Sequence, residues 1–206
     1  NINIMNKFAY LLYALNPDIM QVLPKRTKFM PYPYLDKSSF SKSSFNKIIR
    51  ILHVPSHKGV KGTEIINKQI KKLKYNEPEL NFEFTILEKI NHFNLLEILK
   101  EYDLIIDQIL VGWYGSIAIE ALSKGIPVMA YIRKEDMKFL PDGMINDIPI
   151  INISKNNLNN KIIEFCKLTK KEKFKLSEKS KSFVQKWHSI DYCAGNLKDN
   201  IFNAKL

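Results

Sequence analysis

From Ile48 onward, short apolar runs rich in β-branched residues alternate with longer stretches whose apolar positions recur at helical spacing. Ile49–Val54 reads as a buried strand ending at Pro55. Lys61 to Leu73 reads as a helix, with Ile65, Ile66, Ile70 and Leu73 forming one apolar stripe. Phe82–Leu87 is the next strand and His92 to Lys100 the next helix. Leu104–Ile106, bounded by Asp103 and Asp107, is short and wholly apolar, as a strand buried on both faces should be. Ser116 to Ser123 is helical and stops at Gly125. Pro127–Ile132 and Ile148–Ile153 complete the strands, with the proline at a strand start, where it is tolerated. Helices are expected at Asn157 to Leu168, Lys170 to Trp187 and Asp191 to Phe202. This alternation implies parallel strands joined by right-handed crossovers, hence an α/β fold with a doubly wound parallel sheet. Ligands of such sheets bind at the carboxyl ends of the strands. Function is therefore expected in the loops after Val54, Leu87 and Asp107 and near Ile132.

The first part of the chain reads differently. An apolar run from Phe8 to Leu15 suggests a strand, Asn16-Pro17-Asp18 a helix start continuing to Val22, and Thr27 to Tyr34 a second short strand. So small a set cannot bury its own core. Residues 1–33 are accordingly expected to be the edge of another domain, with Phe8, Leu11 or Phe29 left exposed. Residues 34–48 contain Lys-Ser-Ser-Phe twice, at Lys37 and Lys42, and read as a linker. Residues 49–188 would form the main domain and 189–206 a closing helix that crosses back over it. The absence of an initiating Met at Asn1 adds to the expectation of a piece of a longer chain.

Composition narrows the picture only modestly. With 206 residues, 45% of them hydrophobic and 26% charged, the chain fits an ordinary globular domain plus a fragment. No apolar run approaches the roughly 18 residues of a membrane span, and the first residues do not look like a secretory signal. Two cysteines, Cys166 and Cys193, suggest neither a disulfide framework nor a metal site. A cytoplasmic location, extending to the inner face of a membrane, is the expectation. The formal charge of +11 favours anionic partners, although abundant lysine alone accounts for much of it. Basic residues are dispersed except from Lys167 to Lys186, where they crowd two helices.

Two strand-to-helix loops carry candidate chemistry. The first runs from His53 through Ser56, His57, Lys58 and Lys61 to Gly62-Thr63. Free amides at a helix start, a mobile ammonium at Lys61 and a glycine that permits close approach suit a pyrophosphate. The loop lacks both the Walker pattern and the Gly-x-Gly-x-x-Gly of dinucleotide sites. A solvated basic turn is the plain alternative. The second runs from Asp107 through Gly112, Tyr114 and Gly115 to Ser116, where a helix begins. Glu120 lies one turn in, charged amid Ile117, Ile119, Ala121 and Leu122. It suits the paired hydroxyls of a ribose, or else simply complements the helix dipole.

The run Gly-x-x-x-x-Glu-Ala-x-x-x-Gly-x-Pro-Val, Gly115 to Val128, resembles the signature of the retaining glycosyltransferases of the glycosyltransferase group 1 superfamily, which have the GT-B fold. Lys61-Gly62-Thr63 is similar to that family's diphosphate-binding Lys-Gly. Asp103 and Asp107 flank a strand in the matching place, and Phe183-Val184-x-x-x-His188 resembles the family's closing helix. Asn16-Pro17-Asp18 through Pro33 resembles the last turn of its acceptor-side domain.

The resemblance implies a Rossmann-like donor-binding domain, one half of a GT-B enzyme that transfers a sugar with retention from a nucleotide-diphosphate sugar. The acceptor would be a cell-surface glycan or lipid-linked saccharide, and the transfer needs no metal and no cofactor. Lys61 would neutralise the diphosphate and Glu120 would hold the ribose. The amides of Gly115 and Ser116 would receive phosphate oxygens, with Ser56, Gly62, Gly112 and Tyr114 alongside, and the backbone of Lys89 and Ile90 would line the base pocket. Two departures stand out. The family's first Glu, eight residues before the second, is Gly112 here. Its Arg in the first loop is missing, leaving His57 or Lys58 to substitute. The implied partners are the donor, the acceptor, an amino-terminal domain absent from this sequence and a peripheral membrane contact.

Other readings remain open at this point. One is a GT-B sugar-nucleotide epimerase, which would need catalytic carboxylates not evident here. A second is a phosphorylase, which would need a pyridoxal-bearing lysine. A third is a basic nucleotide- or nucleic-acid-binding module without catalysis, or a nucleotide-sugar sensor. Nucleic acid is disfavoured because most aromatics sit in apolar strand patterns rather than among exposed basic residues.

Overall fold

The computed structural model describes residues 2–35 and 40–203. The first Lys-Ser-Ser-Phe repeat lies largely outside the described residues, as do Asn1 and the last residues of the expected closing helix. Chain order is α1 (Ile2–Phe8), β1 (Tyr13–Ala14), a 3₁₀ helix (Pro17–Val22) and β2 (Lys28–Phe29), then β3 (Ile49–His53), α2 (Lys58–Lys61), α3 (Thr63–Asn76), β4 (Phe82–Ile86) and α4 (His92–Leu99). There follow β5 (Leu104–Gln108), α5 (Ser116–Ser123), β6 (Val128–Ala130), a 3₁₀ helix (Lys134–Phe139), α6 (Met144–Asp147), β7 (Ile151–Asn152), α7 (Leu158–Lys167), α8 (Lys170–Trp187) and α9 (Ile190–Asn203).

Strands β3 to β7 form one five-stranded sheet in the order β4-β3-β5-β6-β7. Every pairing is parallel. The pleat sorts β5 between two cores: Ile105 faces the layer of α4, α5 and α8, whereas Leu104 and Ile106 face α3 and α7. Helices thus cover both faces, and the fold is the doubly wound α/β sheet expected. Strand order reverses between β3 and β5, because the chain builds β4 outward on one side and β5 to β7 on the other. The carboxyl ends of β3 and β5 therefore open the crevice where such sheets take ligands.

Several boundaries move. β5 extends through Asp107 and Gln108, both buried. Their polar groups are satisfied locally: the Gln108 amide donates to the Trp113 and Tyr131 carbonyls, and its Oε1 accepts from Val111 N at 2.8 Å. The last strand shrinks to Ile151–Asn152, because Ile148 closes α6 and Pro149 has no N–H to give a ladder. The helix expected from Lys61 is broken at Gly62 (φ 72°), which separates α2 from α3.

The amino-terminal segment forms one parallel pair, β1 with β2, rather than a strand from Phe8 to Leu15. Residues 2–8 are helical with none of them buried, and Phe8 is 72% exposed. Phe29, expected among the exposed residues, is instead buried edge-on against Trp113 at 6.0 Å between ring centroids. Residues 40–47 do not hang free. Lys42 is buried, and its ammonium lies 2.9 Å from an Asp103 oxygen. Asp103 also accepts from Asn46 N and Arg50 N. None of the helices among the described residues is long and apolar enough to cross a membrane.

Candidate functional site

At the reversal of strand order lies an open cavity of about 480 Å³. Three strand ends contribute to it. Ser56, Lys58 and Lys61 come from the loop after β3, Lys89 and Ile90 from the loop after β4, and Ser116 and Glu120 from α5 after β5. These seven residues, singled out in sequence for one ligand, face one space.

Lys61 ends the short helix α2. Its ammonium is ion-paired to Oδ1 of Asp107, whose side chain is fully buried, while Lys61 keeps 14% of its own side chain exposed. The second Asp107 oxygen accepts the Gly115 amide at 2.6 Å. The Gly115 amide is therefore not open to a phosphate, as had been expected, because a buried carboxylate needs its donors. The helix-start amides beyond it, at Ser116 and Ile117, have no preceding turn to bond. Lys58 is drawn across the mouth, 2.9 Å from Glu88 Oε1, so two loops close over part of the cavity. Lys89 adopts a left-handed backbone (φ 54°), the single non-glycine to do so among the described residues. Non-glycine residues in that region cluster at ligand sites.

Glu120 is 9% exposed at its side chain, and Oε1 lies 2.8 Å from His92 Nε2. A carboxylate only accepts, so the imidazole donates. His92 begins α4 behind the Asn91 cap, which accepts from Asn94 N at 2.8 Å. Sequence reasoning passed over both His92 and the pairing of Asp107. The available signal was position alone, since Asp107 sits at the carboxyl end of β5 and His92 at the start of the helix that follows β4.

Other expected residues lie elsewhere. His57 caps α2, its ring accepting from Val60 N at 3.4 Å. Gly62 serves packing rather than ligand approach, since a Cβ there would meet Ile109 Cγ2 at 2.5 Å. Gly112 abuts Arg133 and Asp18, where a Cβ would lie 3.0 Å from Arg133 Cβ and 3.2 Å from Asp18 Cβ. Arg133 bonds Asp136 Oδ2 at 2.5 Å and the Asp18 carbonyl at 3.0 Å, sealing that spot. Tyr114 is buried, its hydroxyl bonded to His188 Nε2 at 2.9 Å, and it does not line this cavity. A second cleft of about 280 Å³ lies between the amino-terminal segment and this domain, with Asn16, Tyr32, Trp113, Tyr114, Gly115 and His188 on its walls. Ser116 borders both spaces.

No protein-family profile matches the chain, and no curated protein matches it in sequence. Solved structures do match in shape. A mutant of TarM from S. aureus, crystallised with fondaparinux, alpha-GlcNAc-glycerol and UDP, superposes with a TM-score of 0.71 over 96% of this chain at 14% identity. The fold is that of one half of a GT-B glycosyltransferase. Sucrose-phosphate synthase from Thermosynechococcus elongatus gives a TM-score of 0.59 over 93% of the chain at 16% identity. The pneumococcal O-GlcNAc transferase GtfA, crystallised with UDP and GlcNAc, gives 0.54 over 91% at 14%. The chain spans 45%, 58% and 42% of these three chains respectively.

Proposed function

We propose that this chain is the carboxyl-terminal, donor-binding half of a retaining glycosyltransferase, and that the cavity at the strand-order reversal takes a nucleotide-diphosphate sugar. The observation that carries the reading is the convergence of Lys61, Ser116 and Glu120 with the Lys89–Ile90 backbone on that cavity, which sequence reasoning had assigned to one ligand. The diphosphate lies against the Lys61 ammonium and the amides at the start of α5, where the helix dipole is positive. The ribose lies beside Glu120, and the base lies over Lys89 and Ile90.

The same groups explain how the bond would break. As the glycosidic bond opens toward an oxocarbenium-like state, negative charge builds on the leaving diphosphate. Lys61 and the α5 amides stabilise it without a metal, and one such contact is typically worth about a hundredfold in rate. Past Ser116 the sugar points into the aromatic cleft shared with residues 13–34, with the acceptor brought by the other half of the enzyme. The exposed apolar residues Phe8, Ile19 and Val22 on the amino-terminal segment fit contact with that half. A glycan or lipid-linked saccharide as acceptor, and a cytoplasmic site with peripheral membrane contact, complete the proposal.

Calorimetric titration of the chain with UDP, GDP and ADP tests the reading. We expect one of the three to bind saturably, with single-stranded DNA failing to displace it. Binding of DNA in preference to all three would overturn it.

A further inference from the structure

We infer that His92 is a positioning residue for Glu120 and gives the cavity its demand for a ribose rather than a deoxyribose. The inference rests on the proposed nucleotide reading and deepens it. Glu120 is anchored on the second turn of α5 beside buried Ile117, Ala121 and Leu122, and it lines the cavity. There the His92 imidazole, itself 66% exposed and lining the same cavity, reaches from α4 and holds Oε1 at 2.8 Å.

Two consequences follow from that bond. It fixes the rotamer of a carboxylate that is otherwise nearly buried among apolar groups, where an unpaired charge is costly. It also occupies one oxygen, so that Oε2 and the remaining lone pair of Oε1 are left as acceptors toward the open side. A pair of adjacent hydroxyls supplies two donors to such an edge. A 2′-deoxy sugar supplies one and leaves an acceptor desolvated, which is the larger penalty. His92 sits at the first position of α4 with most of its surface in solvent, so its loss removes the hold on Glu120 without opening a core.

The test is calorimetry on the 206-residue chain with whichever of UDP, GDP and ADP it binds and the 2′-deoxy form of the same nucleotide. The wild-type chain is expected to prefer the ribonucleotide by about tenfold. His92→Ala should weaken ribonucleotide binding by about tenfold and leave the deoxy form nearly unchanged, collapsing the preference. His92→Gln, which can still donate to Glu120, should restore it. Unchanged affinity and preference in His92→Ala, or a Gln variant no better than the Ala variant, would overturn the assignment of His92. A wild-type chain that binds none of the three nucleotides would instead overturn the nucleotide reading beneath it.

Discussion

The ammonium of Lys61 is held by the carboxylate of Asp107, and the other oxygen of that carboxylate holds the Gly115 amide. One buried acid thus ties the loop after β3 to the loop after β5, directly beneath the cavity. Lys61 consequently has two duties: it faces the ligand, and it neutralises Asp107. Lys61→Ala should lower stability by about 3 kcal/mol, the lower end for a buried pair because Lys61 keeps some exposure. Lys61→Met combined with Asp107→Asn should recover most of that loss, since the Asn carbonyl can still accept from Gly115. Urea denaturation of the wild type and the two variants measures this. Nucleotide affinity should stay low in both Lys61 variants, which separates the ligand contact from the structural one. A double variant no more stable than Lys61→Ala would contradict the pairing.

Gly62 should tolerate no side chain. Its φ of 72° is unfavourable for other residues by about 1–2 kcal/mol, and a Cβ would press on Ile109 Cγ2 at 2.5 Å. Overpacking of that kind adds about 1–3 kcal/mol. Gly62→Ala is therefore expected to cost at least about 2 kcal/mol by urea denaturation, with Gly59→Ala, which meets only His57 at 3.6 Å or more, as the near-neutral control.

Residues 40–47 should behave as part of the domain. Asp103 is fully buried and joins the Lys42 ammonium to the amides of Asn46 and Arg50. Asp103→Ala leaves Lys42 buried without its counter-charge, at an expected cost of about 3–5 kcal/mol. Under limited proteolysis the wild-type chain should resist cleavage after Lys42, and the variant should be cut there early.

The sheet was legible because the central strands β5 and β6 are buried throughout and carry apolar runs at Leu104–Ile106 and Val128–Ala130. Strands β3 and β4, though broken by Arg50 and Glu83, keep apolar residues at most positions, and α3 carries a clean stripe. The helices Ser116–Ser123 and Lys170–Trp187 have the bounds expected of them. What could not be read lies where a polar side chain satisfies distant backbone. Asp107 and Gln108 look like the end of a strand, yet they continue it by bonding the loop that follows. Lys42 looks like linker and is buried, because Asp103, sixty-one positions away, meets it in space. For the cavity, sequence supplied the residues that face it at strand ends, whereas Tyr114 and Gly112, from the loop between them, turn toward the neighbouring cleft or against Arg133. Loop residues one or two apart point to opposite sides, and spacing alone does not say which side is the ligand's.

The buried imidazole of His188 sets a last expectation, for the acid limb of stability. Its Nδ1 donates to the Tyr32 carbonyl at 2.7 Å, and its Nε2 accepts the Tyr114 hydroxyl at 2.9 Å. Burial pushes the Tyr114 hydroxyl well above its ordinary range, so it remains a donor and the ring stays neutral. Burial likewise pushes His188 down to about 4, the bond to Tyr32 opposing only in part. As pH falls below roughly 6.5, the unfolded chain takes up a proton that the folded chain refuses until about pH 4. More protons on the unfolded state means stability declines with falling pH across that window, by roughly 3 kcal/mol in all. His53, lowered chiefly by burial, acts in the same direction. Asp147, held down mainly by Lys186, and Glu172, held down mainly by Thr169, lose their contribution only at lower pH, as carboxylates themselves titrate. His188→Gln should therefore be less stable than wild type at pH 7 yet lose markedly less between pH 6.5 and 4.5. Urea midpoints measured at intervals across that range give the slope. An equal slope in both proteins would place the acid sensitivity elsewhere, since the His188→Gln chain has no imidazole at that position to take up the proton.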